Sequence, residues 1–258
     1  MGVSARNDWS STLPKDHRSY FYPAVTASFV FTDAFHINSN ALNFGKIRAS
    51  WAKVGNDASP YYNNGTYLLG QPYLGQAQMA LRDVRFDPKL KPEFTSEVEV
   101  GLDLQMFNSR LNLDFSYYNR NSTDQIAPLS LPYSTGYTSY YTNFGKMNNH
   151  GLEIGLDATP VIAGGFKWNL YGTFSKNWSE VKELINGVEE ITVGGAFSTP
   201  KPVLKVGEPY GILKGTKLAR DEEGNLLVDP NSGAYLIADE AVSYTHLRVH
   251  ETRRHLVC

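Results

Sequence analysis

Residues 97–120 of this chain, "EVEVGLDLQMFNSRLNLDFSYYNR", alternate between apolar and polar side chains with one pause, at residues 107–110. The apolar members are Val98, Val100, Leu102, Leu104 and Met106 before the pause, and Leu111, Leu113, Phe115 and Tyr117 after it. Because successive residues of a β-strand point to opposite faces, the pattern predicts a hairpin with one apolar and one polar face. Such a hairpin suits a soluble sandwich, whose apolar face meets a second sheet, or a membrane barrel, whose apolar face meets lipid.

Composition narrows the class of protein without deciding between these folds. The 258 residues carry 24 basic and 26 acidic side chains with no basic stripe, so nucleic acid is not an expected partner. No apolar run approaches the ~18 residues of a membrane helix, although barrel strands leave a weaker signal. The opening residues, "MGVSARNDWSS", lack the apolar core of a signal peptide. They indicate either a cytosolic protein or an internal piece of a longer one.

Four further segments alternate in the same way and raise the number of predicted strands to six. They are residues 20–31, 44–54, 151–158 and 166–178. The charged residues of the strands fall on the side opposite the apolar one, namely Lys46, Arg48, Glu97, Glu99, Asp103, Asp114, Glu153, Asp157 and Lys167. A wide barrel gives such a face a water-filled lumen, and a small soluble sheet leaves it in bulk water.

The connections between these strands favour the barrel. They cover residues 32–43, 55–92, 107–110, 121–145, 159–165 and 179 onward, and so alternate between shorter and longer. Transmembrane barrels have short periplasmic turns and long outer loops, and a sandwich has no reason to keep this order. The predicted fold is therefore all-β, with antiparallel strands of part of a large transmembrane β-barrel and long extracellular loops. It covers residues 1–240, of which 179–240 are mostly one long outer loop.

The last residues differ in composition from the rest. Residues 243–258, "SYTHLRVHETRRHLVC", hold three of the six His and the only Cys. Their spacing matches no paired zinc-ligand motif, so no metal is predicted at His246, His250, His255 and Cys258. The string resembles a translated sequencing adapter or vector read-through. Residues 241–258 are therefore predicted to be a non-native tail that packs on nothing in the fold.

Several blocks together resemble a known family. They are "RNDWSSTLPKDHRSYFYPAVTASFVFTDAF", "GKIRASWAKVGND", "LKPEFTSEVEVGLDLQMFNSRLNLDFSYYNRNSTDQI" and "NFGKMNNHGLEIGLDATPV". Their order and spacing, over roughly residues 2–240, resemble the C-terminal barrel half of SusC/RagA-type TonB-dependent outer-membrane transporters.

The resemblance implies a roughly 22-stranded barrel closed by a plug, in the outer membrane of Gram-negative bacteria. It also implies import of oligosaccharides or peptides, energised by TonB, with a SusD-like surface lipoprotein as a lid. The expected partners are therefore this lipoprotein, TonB, the lipid bilayer and the substrate. No plug or TonB-contacting segment is recognisable in the sequence, so the chain is expected to be a fragment, with TonB binding through a missing N-terminal region.

No catalytic site or cofactor is predicted, and the chain is not expected to be an enzyme. Glu97 and Glu99 share one face of a strand and point the same way, whereas a glycosidase pair flanks its sugar from opposite sides. The long loops instead supply exposed tyrosines, whose flat rings and hydroxyls suit sugars and protein partners alike. The candidates for ligand binding or lid contact are Tyr61, Tyr62, Tyr67, Tyr133, Tyr137, Tyr140 and Tyr141.

Two other interpretations stay open on the sequence alone. A soluble all-β carbohydrate-binding module would bury Leu102, Leu113, Ile154 and Leu170 against a second sheet. A passive pore or adhesin barrel would differ from the importer only in the N-terminal region. In either barrel, arginine in place of Leu102 is expected to destabilise the fold in lipid, and arginine in place of Asp103 to be nearly silent.

Overall fold

Seven long strands form one continuous antiparallel sheet in the computed structural model, which describes residues 1–37, 39–62, 65–193, 200–221, 223–238 and 242–244. The long strands lie among fourteen in all: β1 (Gly2–Trp9), β2 (Ser19–Val30), β3 (Leu42–Asn56), β4 (Tyr67–Leu69), β5 (Met79–Leu81), β6 (Val84–Phe86), β7 (Glu93–Met106), β8 (Leu111–Ser130), β9 (Ser139–Ala163), β10 (Phe166–Leu184), β11 (Glu190–Thr192), β12 (Lys201–Lys205), β13 (Ile212–Gly215) and β14 (Val242–Tyr244). One short helix, α1 (Phe31–Ala34), and three 3₁₀ turns, Lys15–His17, Tyr133–Thr135 and Ile185–Gly187, complete the described elements. Among the described residues, no helix has the length and apolar character needed to cross a membrane.

The main sheet has the strand order β1-β2-β3-β7-β8-β9-β10. The predicted hairpins are confirmed, because β7 pairs antiparallel with β8 and β9 with β10. Strand β1 was not predicted, because the sequence indicates no strand before residue 20, and it pairs with β2 along its whole length. Strands β8 and β9 are also longer than predicted and are joined by residues 131–138 alone, so most of the expected loop at 121–145 is sheet.

The register separates the sheet into the two faces that the alternation predicts. One apolar row crosses six strands through directly paired neighbours: Phe29, Ile47, Leu102, Phe115, Ile154 and Phe174. The next row on the opposite face pairs Lys46 with Asp103 and Asp103 with Asp114. Protein covers neither face fully, and the apolar Ile47, Val98, Val100 and Phe174 are 45–55% exposed. The sheet therefore has an apolar face and a polar face, and neither forms a conventional core.

Two tight turns close the sheet at one end. Residues 107–110 join β7 to β8, with Phe107, Asn108 and Ser109 all at positive φ. Gly164 and Gly165 join β9 to β10 at φ values of 56° and 82°, the left-handed conformation that a two-residue hairpin turn requires. The connection 57–92 emerges at the other end, called the outer end below, where two clusters of buried side chains lie. One contains Leu13, Tyr20, Ala58 and Leu90, and the other Phe144, Val181, Leu184 and Leu204.

The stretch predicted as one long outer loop is partly ordered into strands. Strand β10 runs on to Leu184, and β11, β12, β13 and β14 form a separate small sheet. In that sheet Val242–Tyr244 pairs with Ile212–Gly215. The expectation that nothing beyond residue 240 packs on the fold is therefore wrong for these three residues. The tail residues at which no metal was predicted lie outside the described residues; they are His246, His250, His255 and Cys258.

Candidate functional site

An ion network centred on Arg48 crosses three strands of the polar face. From β3, the Arg48 guanidinium passes over β7 and reaches Asp114 on β8, where Nη1 lies 2.9 Å from Oδ2 and Nη2 lies 3.2 Å from Oδ1. Arg48 also donates to Asp103 and to the hydroxyl of Ser116. Lys46 Nζ lies 2.6 Å from Asp103 Oδ2. A guanidinium that binds a carboxylate through two nitrogens is held in orientation as well as in charge.

Glycines make room for side chains to lie flat across neighbouring strands. Gly101 is directly paired with Arg48, and a Cβ at position 101 would lie 2.3 Å from Arg48 Nε. Gly151 plays the same part for Tyr118, whose hydroxyl would lie 2.6 Å from a Cβ there. From this position the Tyr118 hydroxyl donates to Asn177 Oδ1 at 3.2 Å. A glycine on the middle strand thus leaves space for a polar side chain to connect the strands on either side of it.

Above the Arg48 network, towards the outer end, the polar face forms an open recess. It is lined by Glu97, Glu99, Ser116, Tyr118, Arg120, Asn149, Glu153 and Asn177. Arg120 is ion-paired with Glu97, and Arg48 Nε lies 3.7 Å from Glu99. These groups supply hydrogen-bond donors and acceptors and one aromatic face, which suits a polar ligand or a polar protein surface.

Two of the predicted tyrosines, Tyr62 and Tyr141, meet at the outer end of β9. The short strand β6 pairs parallel with the start of β9 and places Phe86 beside Tyr141. The rings of Tyr62 and Tyr141 have centroids 4.5 Å apart, and Phe86 lies 5.3 Å from Tyr62 and 5.7 Å from Tyr141. Aromatic pairs at these separations stabilise one another beyond their buried area. We call Tyr62, Phe86 and Tyr141 the aromatic cluster.

A hydrogen-bonded clamp holds the segment after β6 against β9. The Asp87 carboxylate accepts from Thr142 Oγ1 at 2.7 Å and from the Lys89 backbone N–H at 2.8 Å. Asn143 and Lys91 exchange two further hydrogen bonds, at 2.8 and 2.9 Å. Burial alone would raise the pKa of Asp87, but the donors around it, which include the Tyr140 hydroxyl, together hold that pKa below its usual value.

The other predicted tyrosines are placed differently. Tyr140 lies next to the aromatic cluster, with its ring 5.5 Å from the Arg85 guanidinium carbon, and Tyr137 is half-buried. Tyr61, Tyr67 and Tyr133 are exposed by 68–71%, and none makes a ring contact within the part of the chain that the structure describes. Two of the seven candidates therefore have rings in contact with each other, one borders them, and three project into solvent.

Sequence reasoning missed Phe86, Arg85 and Asp87 as neighbours of the tyrosines. Their segment, "VRFDP", alternates over only three residues, which is too short to predict a strand. Its parallel pairing with β9 is a long-range contact that local periodicity does not encode.

Comparison with known proteins explains a two-faced sheet with an exposed apolar row. A sequence model of the family described as TonB dependent receptor-like, beta-barrel, matches residues 2–249. The chain belongs to the TonB-dependent receptor β-barrel family. The TonB-dependent receptor P26 of Formosa agariphila is 30% identical over 84% of the chain, and the TonB-dependent receptor SusC of Bacteroides thetaiotaomicron is 26% identical over 93%. The chain spans about a quarter of the length of these TonB-dependent receptors, 22% and 26% respectively.

Solved structures show the same fold for this TonB-dependent receptor segment. The structure of the RagAB peptide transporter matches 93% of the chain with a TM-score of 0.75 at 22% identity, and the chain covers 28% of that protein. The RagAB peptide importer in its closed-closed state matches with a TM-score of 0.74. The predicted SusC/RagA-type barrel is thereby confirmed as the fold, with the barrel open within this chain because β1 and β10 are edge strands.

Proposed function

We propose that this chain forms part of the wall of an outer-membrane importer energised by TonB. In this proposal the apolar face contacts lipid, and the polar face with its Arg48 network lines the lumen. The observation that carries it is the apolar row from Phe29 to Phe174, whose side chains are half-buried or exposed on the face opposite a row of charged residues. A β-barrel that spans a bilayer needs this alternation, apolar outward and polar inward.

The substrates that we propose are oligosaccharides or peptides, delivered beneath a SusD-like surface lipoprotein. The relatives support this class, since one carries the name SusC and a structural match is titled a peptide transporter. The exposed Tyr61 and Tyr67 lie in the long outer connection 57–92, and Tyr133 lies in the outer connection 131–138, as residues that touch a lid or a substrate would. The aromatic cluster fixes the base of these connections on β9.

The alternative of a soluble carbohydrate-binding sandwich predicts that a second sheet buries the apolar face. Leu102, Leu113 and Ile154 are only half-buried, and Leu170 is 44% exposed. A sandwich of this size would bury all four of these side chains. The burial pattern therefore supports the barrel.

The test is accessibility at two neighbouring residues that point to opposite faces. Leu102→Cys and Asp103→Cys are introduced separately into the whole protein in its native membrane, with Cys258, the only cysteine of the chain, replaced by serine. Lipid-confined quenchers are expected to reach position 102. Water-soluble thiol reagents are expected to reach position 103 from the lumen only. Shielding of position 102 from the lipid reagents, in a protein soluble without detergent, would overturn the proposal.

A further inference from the structure

The apolar face ends within one row of the same level on three neighbouring strands. Towards the outer end, β8 changes from Tyr117 to Asn119, and β9 changes from Leu152 to His150. Direct pairing aligns these changes, because Tyr117 pairs with Leu152 and Asn119 with His150. On β10, Lys176 lies in the same row as Leu152, and Trp178 in the same row as His150. This boundary is where a lipid-facing surface would leave the hydrocarbon.

The position of Lys176 along β10 agrees with the thickness of a membrane. Lys176 lies ten residues beyond Phe166, the first residue of the strand after the tight turn. Ten residues of a strand span about 33 Å, and a tilt of about 40° reduces this to a height of about 25 Å. That height equals the apolar band of an outer-membrane barrel. The ammonium group of Lys176 is therefore expected at the outer edge of the band.

Lys176 belongs to a cluster of polar and aromatic groups at this boundary. Its Nζ lies 4.8 Å from the centroid of the Trp178 ring, and that ring stacks on His150 at 5.5 Å with an interplanar angle of 15°. His150 Nδ1 lies 3.1 Å from Oδ1 of the buried Asn148, and Asn148 Nδ2 donates to Asn119 and Asn121. We call Lys176, Trp178, His150 and Asn148 the boundary cluster. The ring contact between Trp178 and His150 and the contact of His150 with Asn148 hold these side chains in position.

The charge of the boundary is positive. Lys176 is exposed and forms no ion pair with any residue in the described ranges. Glu180, two rows further out than Lys176 on the same face, is ion-paired with Lys182 at 2.7 Å, so its charge is already compensated. Lys53, in the row of Glu180 but on β3, holds its ammonium 4.1 Å above the Phe94 ring. Two lysines resting on aromatic rings thus face outward at the end of the apolar face.

We propose that the boundary cluster binds the phosphate groups of a lipid in the outer leaflet. An ammonium at the edge of the hydrocarbon attracts an anionic headgroup, the indole lies level with the headgroups, and the acyl chains pack on the row of Phe174 below. The partner is a phosphorylated lipid such as lipopolysaccharide. The inference rests on the proposed membrane barrel and adds a specific lipid site to it.

The experiment measures binding of purified lipopolysaccharide to the whole protein in detergent. Lys176→Gln is compared with Lys167→Gln, the same substitution on the same strand beside the tight turn. The first is expected to weaken binding about fivefold, the effect of one lysine at an anionic surface, and the second to leave it unchanged. Lys176→Arg is expected to retain binding, and the affinity of the unaltered protein is expected to fall as salt rises.

Three results would overturn the site. The first is equal affinity of Lys176→Gln and the unaltered protein for lipopolysaccharide. The second is binding of lipopolysaccharide that salt does not weaken, a measurement that uses only the unaltered protein. The third is displacement of the lipid by inorganic phosphate at a similar concentration, which would indicate a site for free phosphate. If quenchers in lipid still reach position 102, the proposed function survives any of these results. If they do not, the barrel and the lipid site fail together.

Discussion

The guanidinium of Arg48 occupies the space above Gly101 on the neighbouring strand. The two residues are directly paired, and a Cβ at position 101 would lie 2.3 Å from Nε and 2.7 Å from both Cγ and Cζ of the arginine. The arginine can therefore reach Asp114, two strands away from its own, only while residue 101 has no side chain. Glycine generally weakens the interior of a strand. Here, because Gly101 has no side chain, one ion network can link three strands.

Gly101→Ala is expected to destabilise the folded protein by about 1–3 kcal/mol. The added methyl group moves the arginine off β7 and weakens its hydrogen bonds to Asp114 and Asp103. Urea unfolding of the whole protein in lipid vesicles measures the change in free energy. Gly155→Ala is the matched control, because its Cβ would meet only Asp114 Cβ, at an ordinary 3.7 Å. In an Arg48→Ala background the cost of Gly101→Ala should largely disappear, and an undiminished cost would contradict the mechanism.

The clamp at Asp87 is expected to loosen in acid. The hydrogen bonds that lower the pKa of Asp87 favour the carboxylate in the folded state, so their contribution is fully present above the ordinary aspartate pKa of about 3.9. It is lost as pH falls through the lower pKa of the folded state. A spin label at Lys89→Cys, with Cys258 replaced by serine, should gain mobility below about pH 4. In an Asp87→Asn background the mobility should not depend on pH in that range. A pH response that persists there would rule out Asp87 as its source.

The central hairpins were predictable because one apolar and one polar face impose strict alternation, as lipid and lumen water would in the proposed barrel. Where the two faces of a strand no longer differ in polarity, the sequence no longer shows the alternation that predicts a strand. The outer parts of β8 and β9, around Asn121 and Asn143, carry polar residues on both faces, so their extension had no periodicity to reveal it. Strand β1 has the same difficulty, since its apolar side contains Asn7 between Ala5 and Trp9. Backbone pairing with β2, which the sequence does not display, defines it.

The candidate site was predictable in composition and less so in arrangement. Tyrosine enrichment singled out Tyr62 and Tyr141, but their ring contact within the aromatic cluster depends on the parallel pairing of β6 with β9. Charges such as Arg48 and Asp114 were assigned to the correct face by alternation alone. That they form one network depends on register across three strands and on a glycine at position 101.

Tyr62→Ala is expected to impair the outer end of the fold, whereas Tyr133→Ala is not. Tyr62 contacts two rings, each pair being worth about 0.5–1.5 kcal/mol, while Tyr133 is 71% exposed. Proteolysis within residues 57–92 should accelerate in the Tyr62 variant and stay unchanged in the Tyr133 variant. If exposed tyrosines contact substrate or lid, Tyr133→Ala should lower uptake in cells although its protease resistance is normal. Normal uptake in that variant would remove Tyr133 from the proposed site.

Leu102→Arg is expected to lower the stability of the protein in lipid by about 2–4 kcal/mol, because the side chain lies in the apolar row, which in the proposed barrel would place it near the middle of the bilayer. The sequence alone suggested that arginine at Asp103 would be harmless, since that residue faces the lumen. The structure changes this expectation: Asp103 neutralises both Lys46 and Arg48, so an arginine there would bring three cations together.

Gln105→Arg is the better control, because Gln105 lies on the same polar face, is exposed and belongs to no ion pair among the described residues. Urea unfolding in lipid vesicles should show a large loss for Leu102→Arg and little change for Gln105→Arg. Equal losses would mean that the two faces of β7 meet similar surroundings, which a membrane barrel does not allow.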